Sequence, residues 1–283
     1  MSTPDPGERR RQFRALHQAG CFILPNPWDP GSARYLQSAG FKALASTSSG
    51  HAWSQGKADG AEDLEQVLAH LREMSAATSL PLNADFGDGF GKTPADVEQA
   101  VLRAIDTGVA GLSIEDANPD PFQPLRPLDE ALVRLRAARA AIDRSGAEVM
   151  LIGRAENFLV GQPDIDDTLV RLRAYAEAGA DCLYAPGIVQ RAHIEAVVAT
   201  VAPKPVNLLV GGTSAFTLQD IAAMGVRRVS LGGALARAAW GGFMQATRLL
   251  QEQGSFAGLE AATPGATLNA LFDHPKPKRD RDG

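Results

Sequence analysis

Short aliphatic and β-branched runs alternate along the chain with longer stretches whose apolar residues recur every three or four positions. The short runs are patterned as strands buried on both faces, the longer ones as amphipathic helices. Eight runs predict strands: Cys21–Leu24, Ala43–Ser46, Leu82–Asp85, Gly111–Glu115, Val149–Arg154, Cys182–Ala185, Val206–Val210 and Arg228–Leu231. Eight helices follow them in turn, at Ser32–Ala39, Ala61–Ala77, Pro94–Thr107, Asp129–Arg144, Asp166–Ala178, Gln190–Thr200, Thr217–Met224 and Ala234–Gln251, with a leading helix near Glu8–Gln18. Four helices run straight into a glycine and the next strand, at Gly40, Gly108, Gly179 and Gly225. A glycine just past a helix takes the left-handed conformation that closes the last turn, so these joints imply one repeated unit. Thr93-Pro94-Ala95-Asp96 reads as a capping box with a first-turn proline, and Asp29 before Pro30 reads as a cap.

Repeated strand–helix units close into a barrel or open into a doubly wound sheet. An open sheet advertises a glycine-rich dinucleotide turn after its first strand, whereas here that turn is Pro25-Asn26-Pro27-Trp28-Asp29. The expectation is therefore an α/β fold, a (β/α)8 TIM-type barrel with an N-terminal helix and a C-terminal helical extension. The 283 residues suit one such domain over residues 1–273. A basic tail with Lys276, Lys278, Arg279 and Arg281, residues 274–283, is expected to be disordered.

Composition narrows the partners. Twenty-eight Lys and Arg against thirty-three Asp and Glu leave a formal charge of −5, which argues against nucleic acid or an anionic membrane as the main partner. No apolar run approaches the ~20 residues that span a bilayer. Two cysteines make no disulfide framework, and Met1–Arg11 lacks an apolar signal core, so cytoplasm is the expected compartment. Cys21 and Cys182 read as packing residues.

In such a barrel the chemistry gathers where the strands run out. Those ends are polar here. Asp85, Asp88, Glu115 and Asp116 fall on neighbouring strand ends with Asp59 just beyond the second, and converging carboxylates need a cation or an arginine among them. Mg²⁺ or Mn²⁺ suits oxygen ligands of this kind; caps or arginine pairs are the structural alternative. Arg154 ends an apolar strand and holds either a substrate anion, bidentately, or a structural partner such as Glu156 or Asp181. Ser46, Thr47, Ser48 and Ser49 offer donors to an anionic oxygen or form an ordinary polar turn. His51 is a candidate proton carrier or a solvated loop residue. Gly211-Gly212 and Gly232-Gly233 lie where barrels bind phosphate, although glycines also serve tight turns.

Leu24-Pro25-Asn26-Pro27-Trp28-Asp29, Ser46-Thr47-Ser48-Ser49-Gly50, Ala84-Asp85 leading to Gly89-Phe90-Gly91, Gly111-Leu112-Ser113-Ile114-Glu115-Asp116, Arg154-Ala155-Glu156 and Ala178-Gly179-Ala180-Asp181 together resemble the isocitrate lyase and phosphoenolpyruvate mutase superfamily, in register over about Leu24 to Leu249. The resemblance implies a Mg²⁺-dependent barrel enzyme acting on a small 2-oxo or 2-hydroxy acid through a metal-stabilised enolate. It implies metal ligation by Asp85, Asp59, Asp88 and Glu115, with Asp88 standing in for an acid usual where this chain has Gly87. It places Trp28, Ser46, Thr47, Ser48, Asp85, Arg154 and Asn207 around the substrate, and Arg154, Ser46, Asp59 and Glu115 in catalysis. It further implies a homodimer or homotetramer whose last barrel helix and extension are exchanged between subunits.

The lid after the fourth strand, Ala117-Asn118-Pro119-Asp120-Pro121-Phe122, has neither the cysteine of isocitrate and methylisocitrate lyases nor the lysine of the mutases. Carbon–carbon cleavage or decarboxylation is the leading expectation. A carbon–phosphorus bond enzyme and a non-catalytic 2-oxo-acid-binding barrel are the alternatives.

Overall fold

The computed structural model describes residues 5–273; the basic tail expected at 274–283 lies outside them. Eight parallel strands carry the barrel: β1 (Phe22–Leu24), β2 (Leu44–Ala45), β3 (Leu82–Asp85), β4 (Gly111–Glu115), β5 (Met150–Arg154), β6 (Cys182–Tyr184), β7 (Val206–Leu209) and β8 (Arg228–Ser230). Their order is β1-β8-β7-β6-β5-β4-β3-β2, so β1 and β2 form the seam. There the backbone N–H of Ala45 donates to Pro25 O at 3.0 Å. The Asn26 side chain spans the same seam: its amide donates to Ser46 O at 2.9 Å, and its oxygen accepts from the N–H groups of Leu231 and Gly232. One buried amide thus ties the ends of β8, β1 and β2 together.

The helices are α1 (Pro6–Leu16), α2 (Pro30–Ser38), α3 (Ser48–Ser54), α4 (Leu64–Ala77), α5 (Pro94–Ile105), α6 (Leu128–Ser145), α7 (Ile165–Glu177), α8 (Arg191–Val201), α9 (Leu218–Ala223), α10 (Ala234–Gln253) and α11 (Gly265–Phe272). Every predicted strand and helix is present. The four glycine joints have φ between +89° and +104°, and Thr93 with Asp96, like Asp29 with Ser32, closes a capping box. The Ser46–Ser49 turn is different: it opens a short helix, α3, because the Thr47 hydroxyl caps it by accepting from Gly50 N–H.

The larger apolar cluster lies between strands and helices, with Leu68, Leu71, Val97, Leu135 and Leu172 among its buried members. A smaller one fills the barrel itself and includes Leu24, Met150, Ile152 and Cys182 together with Phe13 of α1. Helix α1 plugs the end where the strands begin. Phe13 lies over Gly111, where a Cβ would come within 2.7 Å of its ring. Arg9 and Arg10 donate to the carbonyls of Ser75, Val109 and Ile105, and Arg14 pairs with Asp181 at 3.2 Å.

By its contacts the chain falls into two compact units, Met1–Arg237 and Ala238–Gly283. In the second, the turn at Ala257–Leu259 packs so closely that a Cβ on Gly258 would lie 2.7 Å from the Ala246 Cα. No helix among the described residues is long and apolar enough to cross a membrane.

Candidate functional site

At the ends of β3, β4 and β5 three carboxylates close on one guanidinium. Arg154 meets Asp85 and Glu115 at 3.1 Å each, and its Nε donates to Glu156. The Tyr184 ring lies 5.2 Å from its guanidinium carbon. Asp85 is fixed twice more: its backbone N–H donates to the Ser46 hydroxyl at 2.8 Å, and its second oxygen accepts the Ser48 N–H at 3.0 Å. The first turn of α3 is therefore clamped to the end of β3.

The electrostatics are one-sided. Burial pushes the Glu115 carboxyl up to about 8 despite Arg154, with Glu156 and Asp85 adding repulsion. Glu156 is raised for the same first reason, burial. Asp59, on the rim, is raised by partial desolvation and then by Asp85. Four acids thus gather about Arg154; two of them, Asp59 and Asp85, line a cavity of about 180 Å³ with Ser46, Arg154, Asn207 and Arg228 among others. A wider space of about 600 Å³ adjoins it and reaches His51, Glu62, His70, Glu115 and Asn118.

A hard divalent cation fits this donor set. All the side chains offer oxygen, and the acids exceed the available positive charge. No group of three or more Asp, Glu, His or Cys among the described residues is arranged to hold an ion by itself. Superfamily members are typically dependent on divalent metal.

Several sequence expectations change. Asp88 does not join the acids around Arg154: its carboxylate accepts from Arg126 at 2.6 Å and from Arg134 at 3.3 Å, and its other oxygen accepts the Phe90 N–H. Two arginines from distant sequence claim it. Gly87 has φ +49°, and its carbonyl accepts from Glu115 N–H, so the local backbone is shaped for glycine. Asp116 is a structural acid, accepting from the Tyr175 hydroxyl, Arg171 and Glu156 N–H. Trp28 lines neither cavity and donates its N–H to Ser32. The Thr47 hydroxyl is engaged as the α3 cap. Asn207 is buried at the cavity, bonded to Ser230 and Arg228. Asp181 serves as a staple between Arg14, Arg139 and the Leu151 N–H.

His51 is not a solvated loop residue. On α3, three positions after Ser48, its ring stacks on His70 with centroids 3.6 Å apart, and its Nε2 lies 3.2 Å from Glu62. Burial, with His51 beside it, lowers His70 to about 3 and keeps it neutral. Glu156 is read from the sequence only as a partner for Arg154, and here completes the acid cluster. Arg228 has no local signal beyond its position at the start of an apolar strand. The stretch Ala117–Leu125 folds back on itself through an isolated antiparallel bridge, with Phe122 almost fully exposed.

A parallel barrel whose polar strand ends gather acids around an arginine has the layout of a barrel enzyme, with its chemistry where the strands run out. The chain belongs to the phosphoenolpyruvate phosphomutase family, whose model matches residues 13–251, within the isocitrate lyase and phosphoenolpyruvate mutase superfamily. A lyase/mutase-type protein from Burkholderia cenocepacia J2315 is 44% identical, with a TM-score of 0.93 covering 95% of this chain and 98% of that one. Oxaloacetate decarboxylase of Paraburkholderia xenovorans (strain LB400) is 29% identical over 78% of this chain and 74% of its own. A solved oxaloacetate acetylhydrolase in complex with oxalate is 27% identical, with a TM-score of 0.84 and 95% of both chains covered.

Proposed function

We propose that this chain is a Mg²⁺- or Mn²⁺-dependent lyase that breaks a carbon–carbon bond beside the carbonyl of a small 2-oxo acid of the oxaloacetate type, by decarboxylation or retro-aldol cleavage. The observation that carries it is the acid excess around Arg154 at the head of a cavity sized for a small acid. Relatives that act on oxaloacetate support the substrate class.

Asp85, with Asp59 and Glu115 beside it, would hold the cation. When bound, a divalent cation supplies the positive charge that lowers the energy of the enolate left after cleavage. Arg154 orients the substrate carboxylate through its planar fork, itself fixed by Glu115 and Glu156. Ser46 and Ser48 hold Asp85 in place and present hydroxyls to the cavity. His51, stacked on His70 and beside Glu62, delivers or removes a proton in the wider space, where the lid offers no cysteine or lysine. The lid closes over the mouth and excludes water. Assembly as a homodimer or homotetramer belongs to the same proposal, resting on the exposed Phe243, Met244, Phe256 and Leu268 in the last unit; a monomeric mass in light scattering at micromolar concentration counts against it.

Incubation with oxaloacetate and Mg²⁺, followed by pyruvate release and by exchange of pyruvate methyl protons in deuterated water, tests the reaction. Release and exchange are expected. Turnover of phosphonopyruvate alone would transfer the site to carbon–phosphorus chemistry, and binding without either reaction would leave a 2-oxo-acid-binding barrel.

A further inference from the structure

Arg228 is 2% exposed and is the largest fully buried side chain among the described residues. It stands inside the barrel, level with Phe22 of β1 and Asn207 of β7. All its hydrogen-bond partners are uncharged: Nε donates to the Asn207 oxygen at 2.8 Å, and one terminal nitrogen lies 3.4 Å from both the Asn83 oxygen and His17 Nε2. His17 cannot balance it, because burial first and Arg228 second lower that imidazole to about 3. Below it lies the Phe13 ring, 5.9 Å from the guanidinium carbon. No carboxylate among the described residues comes within the 4.0 Å of an ion pair. A fully buried guanidinium is almost always paired, because an uncompensated charge in such a place is costly.

The missing negative charge has room to enter. Arg228 lines the same cavity of about 180 Å³ that opens at Asp85 and Arg154. Asn83, Ser113 and Ser230 line it as well, all neutral; the Asn83 amide and the Ser113 hydroxyl also reach Ala84 O, at 3.1 and 3.4 Å, and the Ser230 hydroxyl accepts from Asn207. The acids at the mouth serve Arg154 and lie where the strands end: Asp85 is the last residue of β3, two beyond Asn83. We infer that the cavity floor is an anion site: one small monovalent oxyanion, of carboxylate chemistry, sits against Arg228 with Asn83, Ser113 and Ser230 around it. A free carboxylate ion and the second carboxylate of a substrate share that chemistry. Only the substrate source rests on the proposed reaction.

The test uses formate against gluconate, which is too large for the floor, at constant ionic strength and with a chelator present, so that no divalent metal takes part. Wild-type Tm is expected to rise with formate, by about 3 °C per tenfold increase above its Kd, and the line of isotope-labelled formate to broaden in NMR. Arg228→Met is expected to lose both responses and Arg228→Lys to keep a weaker one. In separate assays with Mg²⁺ in place of the chelator, formate that also competes with oxaloacetate turnover, while pyruvate proton exchange is untouched, identifies the substrate's second carboxylate; formate that shifts Tm and competes with neither identifies a resident ion. A wild-type Tm and line width indifferent to formate overturn the site, and so does an undiminished response in Arg228→Met. Should both variants fail to fold, the wild-type line width alone decides.

Discussion

The two arginines carried by the barrel's strands stand in opposite electrostatic settings. Arg154, at the mouth, is surrounded by Asp85, Glu115 and Glu156, with Asp59 on the rim, whereas Arg228, at the floor, has only amides, a neutral imidazole and an aromatic ring. At the mouth carboxyl groups are driven up and the guanidinium is held charged; at the floor burial pulls the arginine down. An excess of negative charge suits a cation and an excess of positive charge suits an anion. One cavity therefore offers complementary ends to a metal and to an acid.

The strongest way to break this contrast is Asp85→Asn. The change keeps shape but removes one charge from the mouth, so turnover is expected to fall about a hundredfold, or about 2.7 kcal/mol of barrier, together with the Tm rise on adding Mg²⁺. A loss of Tm with metal response intact would make Asp85 a structural acid. Next comes Arg154→Lys, which keeps a charge and loses the planar fork at a cost of about 1–3 kcal/mol; kcat/KM should fall tenfold or more while circular dichroism is unchanged. Unaltered kinetics would assign Arg154 to structure alone.

The two ends should also respond to pH with opposite signs. At the floor His17 is held near 3, below its ordinary 6.5. The unfolded chain takes up that proton first, so its stabilising contribution is present above about 6.5 and is lost as pH falls toward 3, by about 1.4 kcal/mol per unit. At the mouth Glu115 rises from 4.5 to about 8; its contribution is present below 4.5 and is lost as pH climbs through 8. Denaturant unfolding in chelator should show His17→Leu flattening the acid limb and Glu115→Gln flattening the alkaline one. Both variants losing stability in parallel at every pH would remove the distinction. Smallest, and away from both ends, Thr93→Ala removes the α5 capping box at a cost of about 1 kcal/mol, or about 2–4 °C in Tm, with kcat unchanged.

The barrel was legible because strands buried on both faces leave continuous apolar runs and because Gly40, Gly108, Gly179 and Gly225 repeat one backbone requirement. Helix α3 was not, since Ser-Thr-Ser-Ser favours turns and only the Thr47 cap commits it. Asp85, Glu115 and Arg154 announce themselves by ending apolar strands. Asp88 follows the same strand end three residues on, yet its fate is set by Arg126 and Arg134, thirty-eight and forty-six residues away. Arg228 gives no such signal, because nothing in its neighbourhood along the chain tells whether a side chain turns into the barrel.

Helix α1 closes the floor with Phe13, His17 and arginines that hold neighbouring backbone carbonyls, so the cavity has a single door. In the proposed cleavage, two fragments formed from one molecule inside it would leave in file, the one nearer Asp59 and the lid before the one lodged toward Asn83. Product inhibition should carry that order: the deeper fragment should compete with substrate, and the outer one should not.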